Sequence, residues 1–220
     1  MDVIGVYIAP PEHYIGLGRD KEYRRGIEVK IEEPGLLYDG VNYEIRHFFN
    51  LLLKNNPTTT LLLWLNPIHY LHVTDAGNRL IESRDIFTSK LAYKAFTRYA
   101  QDQLQKVKLN TYEGYMGAKR KALVDKYGYD CRNASHSIRL LLMATEYLHT
   151  GRLNVFRDKD VGRLIDIKTG KWSLDRVKTE AALLSNAAQC AYKDSKLPEE
   201  PNAHAAEQLL MKIIKEHINA

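Results

Sequence analysis

The sequence predicts an α+β fold, in which a small mixed β-sheet near the start of the chain precedes a helical region. Two observations predict it. Before Tyr43, runs of β-branched and aromatic residues are separated by Pro and Gly, which is typical of strands and turns. From Tyr43 onward, apolar residues recur at the spacing of a helix. Strands that come early and helices that come late are typical of the α+β class.

Three short strands account for the sheet. Val3–Ala9 is rich in strand-forming residues and stops at Pro10–Pro11, because proline cannot continue a hydrogen-bonded ladder. Ile27–Glu32 alternates apolar and charged residues, and a Pro-Gly pair separates it from LLYDGVNY, so these two runs predict a hairpin. We expect the first strand to pair with the strand that carries Asp39, with the carboxylates of Asp2 and Asp39 on one face.

The helical region begins with one apolar face. Ile45, Phe48, Phe49 and Leu52 follow the i, i+3, i+4, i+7 spacing, and the sequence Asn-Asn-Pro ends that helix. The next run, TTTLLLWL, fits a buried strand or the start of a buried helix equally well. Ser173 suits the cap at the start of a helix, and Gly151 the cap at the end of one. Further helices are predicted near 73–83, 88–109, 114–127, 132–149, 158–168, 173–193 and 203–218.

Composition argues against several classes of protein. The longest apolar stretch, around Thr60–Leu65, is far shorter than the ~20 residues of a membrane-spanning helix, and the first residues do not resemble a signal peptide. Cys131 and Cys190 predict two ordinary thiols in a reducing compartment, so we expect a cytoplasmic protein. The net charge of +5 weakly favours an anionic partner such as a nucleotide or a nucleic acid.

Two carboxylates are placed where a metal-dependent phosphoryl-transfer site would need them. Asp2 opens the first strand, and Asp39 lies in the second arm of the hairpin. Carboxylates on neighbouring strands hold the Mg²⁺ ions that offset charge on phosphate oxygens. On spacing alone, two solvated residues, one near a terminus and one in a turn, are the more usual interpretation.

A second candidate group lies on one predicted helix. Arg132, His136 and Arg139 are spaced i, i+4, i+7, so they form one stripe on its surface. Two guanidinium groups and an imidazole suit a triphosphate or an RNA backbone, because guanidinium matches the geometry of phosphate. The alternative is a charged, solvent-exposed face.

Aromatic residues recur on the predicted helix before the stripe. Tyr93, Phe96 and Tyr99 would allow a base to stack, but core packing is the simpler interpretation of the same spacing.

Four blocks of the sequence, in order, resemble a known family. DVIGVYIAPPEHYIGLG resembles the region after the Ser-Asp-x-Asp motif of the RNA-repair-associated nucleotidyltransferases of the DNA polymerase β superfamily. YDGVNYEIRHFFNLLLKNNP, GNRLIESRDIFTSKLAYKAFTRYAQDQL and YDCRNASHSIRLLLMATEYLHTGRLNVFRDKDVGRLIDIKTGKWSLDRV resemble three further blocks of that family. The resemblance covers about residues 2–180, and it implies a polymerase-β-type nucleotidyltransferase sheet.

The resemblance also implies roles for particular residues. Asp2 matches the second Asp of Ser-Asp-x-Asp, and Asp39 matches the third metal-binding Asp. His136 and Arg139 match directly as ligands of substrate phosphates or base, and Arg132 stands where the family has Lys. The implied cofactor is Mg²⁺, with Mn²⁺ as an alternative, and the implied partners are a nucleoside triphosphate and an RNA, with no membrane.

The family places a Gly-Ser loop and a first metal-binding Asp before the position of Asp2, and this sequence does not contain them. We therefore expect either a chain that starts at an internal methionine of a longer gene product or a degenerate member. Either case predicts little or no nucleotide transfer by these 220 residues. The expected organisation is a partial core sheet over 1–72, a helical region packed on it over 73–195, and a linker with an amphipathic helix over 196–220.

Three functions stay open on the sequence. The first is Mg²⁺-dependent transfer of a nucleotide from a nucleoside triphosphate to a hydroxyl, such as that of an RNA end. The second is the same scaffold without catalysis, binding a nucleotide, an RNA or a protein. The third is an α+β protein whose acids and cationic stripe are ordinary surface residues. For either of the first two functions, we expect Arg132, His136 and Arg139 to face the same cleft as Asp39.

Overall fold

In a computed structural model of the chain, the structure describes residues 2–17, 23, 26–33, 36–108 and 118–219. Three strands form one sheet: β1 (Asp2–Tyr7), β2 (Gly26–Glu33) and β3 (Leu36–Glu44). The order in the sheet is β1-β3-β2, with β1 parallel and β2 antiparallel to β3. The predicted α+β class and mixed sheet are confirmed, and the Pro-Gly turn at 34–35 lies outside the described residues.

The first strand is shorter than the predicted Val3–Ala9 because its partner ends. Tyr7 pairs with Glu44, the last residue of β3. The Glu44 side chain then accepts a hydrogen bond from the backbone N–H of His47 and so caps the helix that follows. Beyond Tyr7 the chain turns into α1 (Pro11–Ile15), with proline in its first turn, where a missing N–H costs nothing.

Helix α2 (Ile45–Leu53) carries the predicted apolar face, and its four members are all buried. The next run, TTTLLLWL, which fits a strand or a helix on its sequence, is helical. Asn56 accepts hydrogen bonds from the backbone N–H groups of Thr58 and Thr59, and Pro57 occupies the first turn of α3 (Pro57–Thr60). A 3₁₀ turn continues it over Leu61–Trp64.

Helices make up most of the remaining described chain. A 3₁₀ turn over Pro67–His69 precedes α4, and a second one over Arg84–Phe87 follows it. The predicted caps at Gly151, with φ of 68°, and at Ser173 are confirmed. The helices are α4 (Asp75–Glu82), α5 (Leu91–Lys108), α6 (Ala118–Tyr127), α7 (Cys131–Thr150), α8 (Val161–Lys168), α9 (Leu174–Asp194) and α10 (Ala203–Ile218).

The chain divides into two compact units that alternate along the sequence. The first comprises Met1–Lys54, Val73–Phe87 and Asn202–Ala220, and the second comprises Asn55–His72 and Thr88–Pro201. The sequence predicts a different division, into a partial core sheet, a helical region and a linker with a last helix, and that division stays a prediction.

In the first unit, α2 packs against the sheet and α10 packs against α2 and the turn over Arg84–Phe87. The rings of Phe49 and Phe87 meet edge to face, with their centroids 5.5 Å apart. His217 near the end of α10 lies within hydrogen-bonding distance, 3.1 Å, of the Ala9 carbonyl just after β1. The last helix is therefore joined to the sheet.

In the second unit, α7 is the central helix and packs against α5, α8 and α9. Phe96 of α5 stacks on Tyr147 of α7, and both side chains are fully buried. Burial of a side chain of this size is worth about 2–3 kcal/mol, so this contact is a major part of the core. Cys131 at the start of α7 is buried and Cys190 is exposed, and both are free thiols.

Candidate nucleotide-binding and metal-binding residues

The two predicted metal-binding acids are register partners. The backbone of Asp2 in β1 lies directly beside that of Asp39 in the parallel strand β3. The Asp39 side chain is exposed, whereas the side chain of Asp2 lies outside the described part of the structure. Neighbouring strands are about 4.8 Å apart, so the predicted pairing within one sheet is confirmed at the level of the backbone.

The described side chains do not form a complete metal site. Among the described side chains, no three His, Cys, Asp or Glu residues are grouped closely enough to hold a metal ion. Of the two predicted metal ligands, only Asp39 has a described side chain. The assignment of a metal to Asp2 and Asp39 stays a prediction.

Helix α7 displays the predicted cationic stripe from its first turns. The side chain of Asp130 accepts hydrogen bonds from the backbone N–H groups of Arg132 and Asn133, which fixes where the helix begins. Arg132 is exposed, but His136 and Arg139 are half-buried. A simple solvated face would leave all three side chains in water, so burial sets His136 and Arg139 apart from Arg132.

His136 is held in its neutral form at physiological pH. Burial, and then the positive charge of Arg139, lower the pKa of His136 from 6.5 to about 4. The ring of Tyr99, from α5, meets the imidazole edge to face, with centroids 5.5 Å apart. A neutral imidazole keeps one N–H donor and adds no charge, so it is compatible with a cation one helical turn away.

Arg139 is a half-buried cation without a described counter-ion. Burial, and then the charge of Arg157, lower the pKa of Arg139, but a guanidinium stays charged at any physiological pH. Its Nε atom is buried and makes no hydrogen bond within the described part of the chain. Leaving such a donor unsatisfied costs roughly 1–3 kcal/mol. The Nε of Arg157 is in the same situation, and both atoms are shielded from solvent, so an anion would reach Arg139 through the part of its side chain that is exposed.

The acids beside Arg157, whose charge acts on Arg139, form ion pairs with Arg157 and Arg163. Arg157 donates to both carboxylate oxygens of Glu146 and to Asp160. Arg163 bridges Asp160, at 2.7 Å, and Glu180, at 2.6 Å. Because Arg157 and Arg163 neutralise these carboxylates, the positive charge of Arg139 is not offset by them.

Such a group can bind a phosphate. A guanidinium offers paired N–H donors that match two phosphate oxygens, and charge-assisted hydrogen bonds of this kind are about twice as strong as neutral ones. The neighbouring imidazole N–H is a further donor of the right type. The geometry therefore suits an anion at Arg139 and His136, with Arg132 as an exposed positive charge on the same helix.

The aromatic residues of α5 have separate environments. Phe96 is a core residue, as the packing interpretation predicts. Tyr99 borders His136, and Tyr93 stacks on Tyr192 of α9. Sequence reasoning missed Arg157 and Tyr192, because nothing in their own segments indicates that the fold brings them to α7 and α5.

A family comparison assigns the chain. The model of the RlaP family, described as the RNA repair pathway DNA polymerase beta family, matches residues 1–212. The chain belongs to this family. Family membership gives it a nucleotidyltransferase-type role in RNA repair and confirms the resemblance predicted from the four sequence blocks. No curated protein and no solved structure matches the chain.

Two further observations bear on the predicted partners. No helix of the described chain is long and apolar enough to cross a membrane. Asp39 belongs to the first unit and the α7 stripe to the second, so each is described within its own unit. That both sets face one cleft stays a prediction.

Proposed function

We propose that the chain binds a nucleoside triphosphate and that its reaction is transfer of the nucleotide to a hydroxyl, that of an RNA end, with Mg²⁺ or Mn²⁺ as cofactor. Because Asp2 and Asp39 are fewer acids than a pair of metal ions needs, we expect this transfer to be slow. The reaction class follows from membership of the RNA repair polymerase β family. The observation that carries nucleotide recognition is Arg139, a half-buried cation that forms no ion pair among the described residues, whereas Arg157 and Arg163 do.

In this proposal Arg139 binds phosphate oxygens through its guanidinium. Neutral His136 donates one hydrogen bond to the same anion, and the ring of Tyr99 holds the imidazole in place. Arg132, exposed and seven residues before Arg139 on α7, attracts the polyanion from a distance. Binding therefore weakens as salt increases, because phosphate contacts release counterions.

Asp39 and Asp2 are the proposed metal ligands. Their donor atoms fit the cofactor, since Mg²⁺ prefers oxygen ligands and is bound by one or two carboxylates together with substrate phosphates. When bound, the metal would offset the negative charge that develops as the hydroxyl attacks and pyrophosphate leaves. The register pairing of the two positions supports this assignment.

The phosphate site is tested by titration calorimetry with ATP, GTP, CTP and UTP. We expect Arg139→Ala to weaken binding by about 1–3 kcal/mol, the usual worth of a charge-assisted hydrogen bond. Arg139→Lys keeps the charge but loses the two-pronged geometry, so its affinity should fall between those of the wild type and Arg139→Ala. Arg152→Ala is the matched control, because Arg152 is exposed and its loss also removes one charge. Equal affinities of the Arg139→Ala and Arg152→Ala proteins would contradict the proposal.

The alternative function is nucleotide or RNA binding without chemistry. The phosphate site supports both functions equally, so a covalent product decides between them. The protein is incubated with an α-labelled nucleoside triphosphate, an RNA oligonucleotide and Mg²⁺ or Mn²⁺. Labelled RNA that disappears with Asp39→Asn, while the fold is kept, supports transfer. Binding without labelled RNA under either metal favours the alternative.

A further inference from the structure

A second candidate site lies where the start of α5 meets the end of α9, within the second unit. There the surface forms a cavity of about 280 Å³. Its lining combines two aromatic rings, two ammonium groups, one aliphatic side chain and one carboxylate: Tyr93, Tyr192, Lys90, Lys94, Leu91 and Glu199.

The aromatic part of the cavity is a pair of stacked rings. The centroids of Tyr93 and Tyr192 are 4.8 Å apart and their planes are inclined by 27°. Both side chains are only half-buried, so part of this aromatic surface is accessible. Because the two rings cover each other's inner faces, a nucleobase would stack on an outer face of the pair, without regard to sequence because every base has a π-face.

The cationic part follows α5. Lys94 and Arg98 are four residues apart on α5, so their side chains lie on one side of the helix, and Lys90 immediately precedes the helix. Lys94 and Arg98 are exposed and form no ion pair among the described residues, and Lys193 follows Tyr192 on α9. Successive positive charges beside an aromatic surface are the pattern by which proteins follow the backbone of a single strand.

Within the cavity, Lys90 forms an ion pair with the side chain of Glu199. Its Nζ lies 2.7 Å from Glu199 and 5.8 Å from the centre of the Tyr192 ring. The Lys90 side chain is 17% exposed and that of Glu199 is 69% exposed. A pair with so exposed an acid is worth about 0–1 kcal/mol, so a phosphate can replace the Glu199 carboxylate at little cost.

We propose that this cavity binds a single-stranded polynucleotide, with one base on the Tyr93–Tyr192 pair and flanking phosphates on Lys94 and Lys90. Its volume suits one base, since it falls below the ~300–1,000 Å³ of sites that enclose a whole drug-sized ligand. Tyr93 also precedes Tyr99 by six residues, or about 9 Å along α5. The site is thus separate from the phosphate site at His136 and Arg139.

The test is fluorescence anisotropy with labelled eight-nucleotide RNA and DNA strands at several salt concentrations. We expect Lys94→Gln to weaken binding at least threefold and to reduce the salt slope by about 0.7, the loss of one phosphate contact. Glu199→Gln should strengthen binding, by up to about fivefold, because it removes the competing carboxylate. Lys212→Gln is the charge control, since Lys212 is exposed on α10 of the other unit. If both cavity variants bind like Lys212→Gln, the proposal is wrong.

Stacking is tested separately at Tyr192. Tyr192→Leu should weaken binding at least about fivefold, and Tyr192→Phe should keep it, because the phenyl ring still stacks. Thermal unfolding of both variants checks that the fold survives. Base stacking is refuted if Tyr192→Leu and Tyr192→Phe lose the same amount of affinity, or if neither variant loses any.

Comparison of ligands identifies the source of the strand. If the protein binds the RNA strand and not the DNA strand, the ligand is RNA. If it binds both equally, the ligand is any single strand. Either result supports the site. Polyglutamate that competes as well as RNA in both wild type and Tyr192→Leu would instead show a general polyanion surface. Nucleoside triphosphate binding at Arg139 is measured in separate titrations, so failure of one site does not decide the other.

Discussion

Acidification should destabilise the protein through His136. The pKa of this imidazole is lowered from 6.5 to about 4 by burial and by the charge of Arg139. Between these values the unfolded chain binds a proton that the folded chain does not, so stability rises with pH. The contribution is nearly complete above pH 6.5 and is lost as pH falls towards 4.

The magnitude follows from the two pKa values. Going from pH 7 to pH 5, a shift of this size would remove about 2 kcal/mol from the free energy of unfolding. Solvent still reaches part of the half-buried imidazole, so we halve this figure to about 1 kcal/mol. Carboxylates also titrate in this range, and the comparison must therefore be with a variant that lacks only the imidazole.

His136→Gln is that variant, because glutamine keeps a polar side chain of similar size and does not titrate. Urea unfolding of both proteins at pH 7 and pH 5 gives the loss of stability for each. We expect wild type to lose about 1 kcal/mol more than His136→Gln. Equal losses would show that His136 is solvated and ionises normally, and would remove the reason to treat it as a neutral donor.

Two further predictions concern the second unit. The buried hydroxyl of Tyr129 donates a hydrogen bond of 2.7 Å to the Trp172 carbonyl, so Tyr129→Phe should cost about 1–2 kcal/mol in urea unfolding; no loss would mean that water replaces the hydroxyl. Gly170 has a φ of 77°, and an added Cβ would collide with the Tyr127 ring. Gly170→Ala should therefore lower the thermal midpoint by several degrees, whereas Gly162→Ala, where a Cβ meets open space, should not.

Local patterns predicted most of the secondary structure. The predicted helix at 203–218 coincides with α10, and 132–149 differs from α7 by one residue at each end, since Asp130 and Gly151 supply strong caps. The end of β1 was not predictable from its own residues, because it depends on where β3 stops. The run after Pro57 was ambiguous, since periodicity does not separate a short buried helix from a strand.

The candidate site could be predicted only in part. Helical spacing places Arg132, His136 and Arg139 on one stripe, but it does not say what covers each position. Packing between α7 and the chain that follows it leaves Arg139 half-buried. The same packing brings Arg157 to Glu146 and Asp160. Long-range contacts of this kind leave no local pattern in the sequence.

The most direct test of nucleotide recognition is an experimental structure of the protein with a non-hydrolysable nucleoside triphosphate and Mg²⁺. We predict that a phosphate oxygen lies about 2.8 Å from the Arg139 guanidinium, the usual length of a charge-assisted hydrogen bond, with His136 donating to the same anion. A triphosphate bound elsewhere, with Arg139 and His136 unchanged and without contact to it, would contradict the account.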